Sequence, residues 1–133
     1  MQFLQGIDLV KVERVKKIYE EYGEKFLEKI FSSNEINQIK KIENFQYKKI
    51  ASKFSAKEAA AKALGTGISN GVKFQDFEII SKKNGRPEIK IFGVAQDKLK
   101  NLISSNVSIS DDGEYVVAVV TFILAKQWEK YFS

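Results

Sequence analysis

The chain has 133 residues and a mass of 15.2 kDa, a length that fits a single domain. Apolar residues make up 44% and charged residues 29% of the sequence, a balance that argues against a disordered chain. Because the sequence contains no Cys and no His, disulfides, Cys-ligated metal sites, thiol nucleophiles and imidazole bases are excluded. Any catalysis would therefore use carboxylates, lysine, tyrosine, hydroxyl groups, backbone amides or a hard metal ion bound through oxygen.

The charge is positive and unevenly distributed. The net charge is +5, and residues 1–64 hold 13 basic and 9 acidic side chains. A mildly basic half suggests an anionic partner such as a phosphate ligand, an acidic protein or nucleic acid, although from charge alone a merely soluble surface is the better explanation. The N-terminus lacks an export-signal pattern, and the apolar stretch 116–125 is too short for a membrane helix. We therefore expect a cytoplasmic protein with no membrane partner.

The first half is predicted to be one strand followed by four helical segments. Residues 2–10 alternate weakly between apolar and polar and contain Gly6. Ser32 and Glu35 have the spacing of a capping box, which predicts a helix start, and Gly65 is a C-terminal cap candidate for the longest helix. The helical segments, in chain order, are predicted at 9–22, 26–31, 32–42 and 45–64.

The second half is predicted to contain antiparallel strands. Residues 74–80 and 88–92 are strand-like and are joined through Asn84-Gly85, a hairpin signal. A helix is expected over 94–103, followed by strands at 107–110 and 115–124. The β-branched run 116–121 predicts a central strand that is buried on both faces. The fold class is therefore α+β, with helices packed on an antiparallel sheet in one domain over 1–133.

Two regions of the sequence are candidates for chemistry. Asp8 follows a strand and precedes a helix, where a carboxylate either caps the helix or binds a metal. Glu58 and Lys62 are four residues apart on one helix face, a spacing that also fits an ordinary surface pair. The alanines at 59–61 indicate close packing beside this pair. The segment Gly65-Thr66-Gly67 offers backbone N–H groups to a phosphate, although helix caps often have this sequence.

These segments resemble those of holo-[acyl-carrier-protein] synthases, the short bacterial type of 4′-phosphopantetheinyl transferase. The resemblance extends from about residue 5 to about residue 122, in the family's order and spacing. It rests on Gly6-Ile7-Asp8 with Arg14, on 53–59 running into 62–68, on Gly85-Arg86-Pro87, and on Val107-Ser108-Ile109-Ser110.

The resemblance implies transfer of the phosphopantetheine arm of coenzyme A to a serine of apo acyl carrier protein, with release of adenosine 3′,5′-bisphosphate. It implies that Asp8 and Glu58 hold Mg²⁺ and that Lys62 lies against the phosphates, all three being catalytic. The proton acceptor stays open between Glu58, a metal-bound water and solvent. Lys53, where the family usually has Arg, would face the 3′-phosphate of CoA. The other CoA-binding positions implied are Gly65, Thr66, Gly67, Arg86 and Pro87.

The resemblance also implies two kinds of protein partner. Arg14, with Lys11 and Lys17 at helical spacing, would form a basic stripe for the acidic carrier protein; a solvated helix face is the alternative for the two lysines. The family assembles as a homotrimer with its sites between subunits, so the Arg86-Pro87 hairpin would reach a neighbour's carboxylates. The apolar strand 116–124 would supply interface surface or be buried within one chain.

One position departs from the family pattern. The family usually has His after its Val-Ser strand, where it helps to hold a CoA phosphate, and this chain has Asp111 followed by Asp112. Carboxylates repel a phosphate, so either the loop turns away, or a cation compensates, or CoA affinity is reduced. The departure keeps open a CoA-binding homologue with weak or no transferase activity.

The other alternative is a small basic module that binds nucleic acid. The basic residues are interleaved with acidic ones, and no strand combines aromatic and basic side chains into a platform. We therefore expect no nucleic acid partner.

Overall fold

The structure, a computed structural model, describes residues 1–41 and 46–126. The predicted end of the third helical segment at 42 and the start of the fourth at 45 lie outside these residues. Strand β1 is followed by four helices, then by a hairpin, a short helix and a second strand pair. The elements are β1 (Gln2–Lys11), α1 (Val12–Tyr22), α2 (Glu24–Ile30), α3 (Ser33–Lys40), α4 (Gln46–Ala63), β2 (Phe77–Ser81), β3 (Pro87–Ile91), α5 (Gly93–Lys98), β4 (Leu102–Asp111) and β5 (Tyr115–Leu124).

The strands form two antiparallel sheets. One has the order β1-β5-β4, with Asp8 opposite Ala118, and the other is the β2–β3 hairpin. Strand β5 is central, as predicted, but only alternate residues are buried within this chain. The prediction of burial on both faces is therefore wrong for the single chain, because α4 covers only one face of the sheet.

Helix α4 lies directly on the backbone of β1. A Cβ atom placed on Gly6 would collide with Ala59 O and would lie 2.6 Å from Ala63 N. Ala59, Ala60 and Ala61 are fully buried, which confirms the close packing indicated by the alanine run. Small residues on both elements thus bring the helix face that carries Glu58 and Lys62 close to the strand that carries Asp8.

Helix α1 begins later than predicted. The residues before Val12 continue the ladder of β1, which pairs with β5 as far as Lys11 and Tyr115. Sheet pairing thus overrides the helical spacing at residues 9–11. The capping box of α3 is confirmed, since Ser32 and Glu35 exchange both expected hydrogen bonds.

Two boundaries in the second half also differ from the predictions. Residues 74–76 form a 3-10 turn because the buried Asp76 carboxylate accepts the N–H groups of Lys73 and Ala95, at 3.2 and 3.3 Å. Helix α5 ends at Lys98, and β4 begins at Leu102 because this residue pairs with Leu124 of β5. None of the helices in the described part of the chain is long and apolar enough to cross a lipid bilayer.

Candidate active site

Asp8 lies on β1 beneath helix α4, and two residues of that helix bind it. Ser55 Oγ donates to Asp8 O at 3.0 Å and to Asp8 Oδ2 at 3.2 Å. Lys62 Nζ donates to Asp8 Oδ1 at 3.0 Å and to Ile7 O at 3.1 Å. Helix α1 begins after Lys11 without a side-chain cap, so the alternative that Asp8 caps this helix is wrong. The carboxylate faces α4.

Glu58, on α4, interacts electrostatically with Asp8 and with the cations Lys62 and Arg14. Burial raises the pKa of Glu58 and the Asp8 carboxylate raises it further, whereas Lys62 and Arg14 oppose that shift. Lys62 makes its ion pair with Asp8, so the alternative of a simple Glu58–Lys62 surface pair does not describe this helix face. The structure thus brings together two carboxylates and two cations from β1, α1 and α4.

The donor chemistry of this site fits a magnesium ion with open coordination positions. No group of three or more Asp, Glu, His or Cys side chains suited to a metal occurs among residues 1–41 and 46–126. Mg²⁺ typically takes one or two carboxylates and fills its other positions with waters and phosphate oxygens. Asp8 and Glu58 supply two such carboxylates, and a bound cation would offset the repulsion by which Asp8 adds to the burial-driven rise in the pKa of Glu58.

The Gly65-Thr66-Gly67 segment follows the end of α4 directly. Gly65 and Gly67 have φ of 80° and 61°, and their N–H groups donate to Lys62 O and Ala61 O at 2.9 and 3.1 Å. These two amides therefore cap the helix, and the expectation that they are free for a phosphate is wrong. The segment remains a candidate lining for a nucleotide beside Lys62.

Lys53 lies on α4 and faces strand β2 of the β2–β3 hairpin. It is buried, and its Nζ donates to Gln38 Oε1 at 2.8 Å and to Ile79 O at 2.6 Å. Burial lowers the pKa of Lys53 to about 8. With Gly85 and Pro87, among others, it lines a cleft of about 190 Å³, which we call the Lys53 cleft. Another cavity, of about 590 Å³ between α2, α3 and β2, contains none of the predicted site residues.

The hairpin on the other side of this cleft has a five-residue connection. Lys82 N donates to Arg86 O at 2.9 Å, and Gly85 adopts φ of 85° at the turn, where the Asn-Gly signal predicted it. The Arg86 side chain is exposed and Pro87 is half-buried. Both predicted positions therefore border the Lys53 cleft or the surface beside it.

The predicted basic stripe is only partly helical. Lys11 is the last residue of β1, and its Nζ lies 3.9 Å from Glu114 Oε1 and 5.8 Å from the Tyr115 ring centroid. Arg14 and Lys17 lie on α1 and are exposed. Arg14 is therefore exposed at the surface and is also close enough to Glu58 to lower its pKa.

Asp111 has a cationic partner. Its Oδ1 lies 3.0 Å from Lys48 Nζ and accepts the Gly113 N–H at 3.0 Å. Asp112 instead accepts the N–H groups of Glu114 and Tyr115, which lower its pKa. Of the three outcomes expected for this departure, compensation by a cation is the one that the geometry supports.

Sequence reasoning missed a buried ion pair next to Glu58. Lys57 Nζ lies 2.7 Å from Glu35 Oε1, both side chains are fully buried, and the ammonium lies 5.4 Å from the Phe31 ring centroid. Burial lowers the pKa of Lys57, and Glu35 opposes the shift. Glu35 had been assigned only to the capping box. One sequence signal could have indicated this burial. Lys53 and Lys57 are four residues apart, so they share one face of a helix that is otherwise rich in alanine.

Comparison with known proteins relates this arrangement to one family. The family model described as "4'-phosphopantetheinyl transferase superfamily" matches residues 5–120. The holo-[acyl-carrier-protein] synthase of Buchnera aphidicola subsp. Baizongia pistaciae is 44% identical over 120 residues, covering 88% of this chain and 94% of that protein. The Campylobacter hominis synthase is 39% identical over 122 residues, covering 91% and 98%.

Solved structures agree with this relationship. The Helicobacter pylori holo-[acyl-carrier-protein] synthase in complex with coenzyme A has a TM-score of 0.79 and 34% identity, covering 90% of this chain and 99% of that chain. The Bacillus anthracis synthase in complex with CoA (3',5'-ADP) has a TM-score of 0.79 and 31% identity, covering 94% and 100%. The predicted α+β fold is confirmed, and the chain belongs to the 4′-phosphopantetheinyl transferase superfamily as a member of its holo-[acyl-carrier-protein] synthases.

Proposed function

We propose that this protein transfers the 4′-phosphopantetheine group of CoA to a serine of apo acyl carrier protein, with Mg²⁺ held by Asp8 and Glu58. The observation that carries the proposal is the convergence of these two carboxylates with Lys62 in a chain that has no His or Cys. When bound, the metal ion supplies positive charge against the negative charge that develops on the pyrophosphate. The chain acts as a single domain over 1–133, in the cytoplasm.

The side chains have separate roles in the transfer. The serine oxygen of the carrier forms a bond to the phosphorus next to the pantetheine arm, and the bond from that phosphorus to the bridging oxygen breaks, which releases adenosine 3′,5′-bisphosphate. Lys62 contributes an ammonium group against the phosphates. The serine proton passes to Glu58, to a water bound at the metal or to solvent, the three acceptors that the family resemblance leaves open.

CoA is proposed to bind between the Gly65-Thr66-Gly67 segment and the β2–β3 hairpin. The Lys53 cleft offers a buried ammonium to the 3′-phosphate, beside Arg86 and Pro87. Lysine serves there as a point charge, without the bidentate geometry of arginine. Gly65, Thr66 and Gly67 line the nucleotide without side chains that would obstruct it.

The uncovered face of the large sheet supports assembly as a homotrimer. Phe3, Ile7, Leu9 and Ile103 are 64%, 59%, 63% and 54% exposed, which is unusual for large apolar side chains. The half-buried alternate residues of β5 lie between these strands on the same face. A trimer that covers this face would place the Arg86-Pro87 hairpin of one chain near the Asp8–Glu58 pair of its neighbour.

The test is to incubate the protein with CoA, Mg²⁺ and apo carrier protein and to weigh the carrier by mass spectrometry. A gain of one phosphopantetheine arm is expected, and it should disappear with chelator and return with Mg²⁺ or Mn²⁺. Asp8→Asn and Glu58→Gln should each abolish the gain without a large change in melting temperature, whereas the exposed Asp97→Asn should retain it. CoA binding without a mass gain would indicate a CoA-binding homologue instead, and wild-type rates in either carboxylate variant would contradict the metal site.

A further inference from the structure

Strand β2 pairs with β3 along one edge only, and side chains satisfy its other edge. Phe77 O accepts a hydrogen bond from Lys57 Nζ. Two residues further on, Ile79 N donates to Glu35 Oε2 at 2.9 Å, and Ile79 O accepts from Lys53 Nζ at 2.6 Å. Residues two apart in a strand direct their backbone groups to the same edge, so these bonds take the place of a neighbouring strand.

The same pattern continues to the end of the strand. Ser81 N donates to Gln38 Oε1 at 3.0 Å, and Gln38 Nε2 donates to Ser81 O at 2.9 Å. Gln38 Oε1 also accepts from Lys53 Nζ at 2.8 Å, which joins the two bonded pairs. We call these the β2-edge contacts, made by Glu35, Gln38, Lys53 and Lys57.

The β2-edge contacts of Glu35, Lys53 and Lys57 lie in a low-dielectric interior, whereas the two bonds between Gln38 and Ser81 are exposed. The side chains of Glu35 and Lys57 are fully buried, and Lys53 is 4% exposed. Hydrogen bonds to charged groups are strong and directional there, and removing one partner leaves the other buried and unpaired. The geometry of the contacts made by Glu35, Lys53 and Lys57 is therefore fixed rather than adaptable.

These contacts join the two walls of the Lys53 cleft. One wall is helix α4, and the other is the hairpin that continues from β2 through Gly85 to Pro87. Side chains of α3 and α4 bond to the backbone of β2 and so hold the hairpin against α4. The distance from Lys53 to Pro87 therefore depends on these side chains.

We propose that Glu35, Gln38 and Lys57 are positioning residues that set the width of the Lys53 cleft and thereby the affinity for CoA. The inference rests on the proposed function, in which this cleft and Arg86 receive CoA. It predicts that loss of β2-edge contacts raises the KM and Kd for CoA. The KM for carrier protein should be unchanged, because Arg14 and Lys17 lie on α1, which makes none of these bonds.

The test compares Gln38→Met and Lys57→Met with Ile39→Val, a control in the buried core of α3 that leaves every β2-edge contact intact. CoA affinity is measured by calorimetry at a temperature where circular dichroism finds each variant folded. Gln38→Met should weaken CoA binding about fivefold, as expected for lost hydrogen bonds, with the carrier KM within twofold of wild type. Lys57→Met should weaken it more, and the amide of Ser81, which donates to Gln38, should exchange faster in Gln38→Met.

Ile39→Val should lower the melting temperature without changing CoA affinity, which separates positioning from general stability. If Lys57→Met does not fold, Glu35→Gln and Gln38→Met decide the question.

Arg86→Ala tests the proposed function separately. Weak CoA binding in Arg86→Ala together with wild-type binding in the β2-edge variants would overturn this inference alone. Wild-type CoA binding in Arg86→Ala would remove the hairpin from the proposed CoA site and overturn this inference as well, whereas absence of a mass gain in the carrier would overturn the proposed function. A rise in carrier KM equal to the rise in CoA KM would also overturn this inference.

Discussion

The Lys62 ammonium lies 3.0 Å from Asp8 Oδ1, so the side chain proposed to contact phosphate already neutralises a proposed metal ligand. A divalent cation that binds Asp8 must therefore compete with this positive charge. Lys62→Met should raise the affinity for Mn²⁺, measured by electron paramagnetic resonance, because like charges at this separation repel. The same variant should lower kcat on the order of 100-fold, the scale of losing one charged group that stabilises a transition state.

The control for this prediction is Lys100→Met, an exposed residue of the α5–β4 connection. It should change neither Mn²⁺ affinity nor kcat. An unchanged Mn²⁺ affinity in Lys62→Met would place the metal away from Asp8.

Gly6→Ala should destabilise the protein and disable the site together. The added methyl group would collide with Ala59 O and lie 2.6 Å from Ala63 N, so α4 must move from β1. Overpacking of this kind typically costs about 1–3 kcal/mol, and here both atoms belong to backbone that cannot yield locally. Thermal unfolding should report the loss, and residual activity at low temperature should be far below that of the wild type.

Gln5→Ala is the matched control on the neighbouring strand position. It removes only the exposed hydrogen bond to Thr121 Oγ1, so its melting temperature should stay close to the wild-type value. Equal stability of Gly6→Ala and Gln5→Ala would mean that the helix adjusts without cost.

The fold could be predicted where a local pattern and the tertiary contact agree. The Ser32–Glu35 capping box, the close packing of the alanines at 59–61 and the centrality of β5 all follow from short sequence signals. The 3-10 turn at 74–76 could not, because it depends on Asp76 bonding to Ala95, nineteen residues later. The periodicity of 74–80 carries no trace of that contact.

The candidate site divides in the same way. Asp8, Glu58 and Lys62 could be proposed from sequence because their motif spacing is specific. The burial of Lys57 and Glu35 could not, because a charged residue on a helix is usually exposed and only the β2 edge explains their position. The role of Lys48 depends on a contact across 63 positions of sequence, which a motif does not encode.

Arg14→Glu and Lys17→Glu should differ in their effects. Both should raise the KM for an acidic carrier protein, and added salt should weaken the wild-type reaction similarly, since the screening length is about 8 Å at physiological ionic strength. Arg14 also lowers the pKa of Glu58, so Arg14→Glu should move the acid limb of the kcat profile to higher pH. Lys17→Glu should leave that limb in place.

Lys25→Glu on α2 is the control, because it changes the same charge on a different helix. Carrier KM values should be measured at two salt concentrations for all three variants. An equal rise of carrier KM in Lys25→Glu would mean that net charge, not the α1 surface, attracts the carrier.

The affinity for CoA should fall as the pH rises through the pKa of Lys53, which is about 8. Below that pH the ammonium is charged and attracts a phosphate; above it the attraction is lost. Lys53→Arg stays protonated, so its KM for CoA should be flat between about pH 7 and 9. For stability the sign is opposite: folded Lys53 releases its proton before the unfolded residue does at 10.5, so its contribution to the free energy of unfolding rises between these pH values.

Dephospho-CoA, which lacks the 3′-phosphate, separates this effect from other titrations. Its KM should depend less on pH than that of CoA. Parallel curves for the two substrates would mean that Lys53 does not face the 3′-phosphate.

The Lys48–Asp111 pair predicts that Asp111 costs little CoA affinity as long as Lys48 is present. The two side chains are 3.0 Å apart, so the pair presents almost no net charge to a nearby phosphate. Asp111→His should therefore change the KM for CoA by less than about twofold, whereas Lys48→Ala leaves the carboxylate uncompensated and should raise it about fivefold, or roughly 1 kcal/mol. The double variant Lys48→Ala with Asp111→His should return the KM toward the wild-type value, since the repelling charge is gone. These four KM values form a double-mutant cycle, and its coupling energy measures the compensation directly. An additive cycle with an unchanged KM in Lys48→Ala would mean that Asp111 is turned away from the nucleotide.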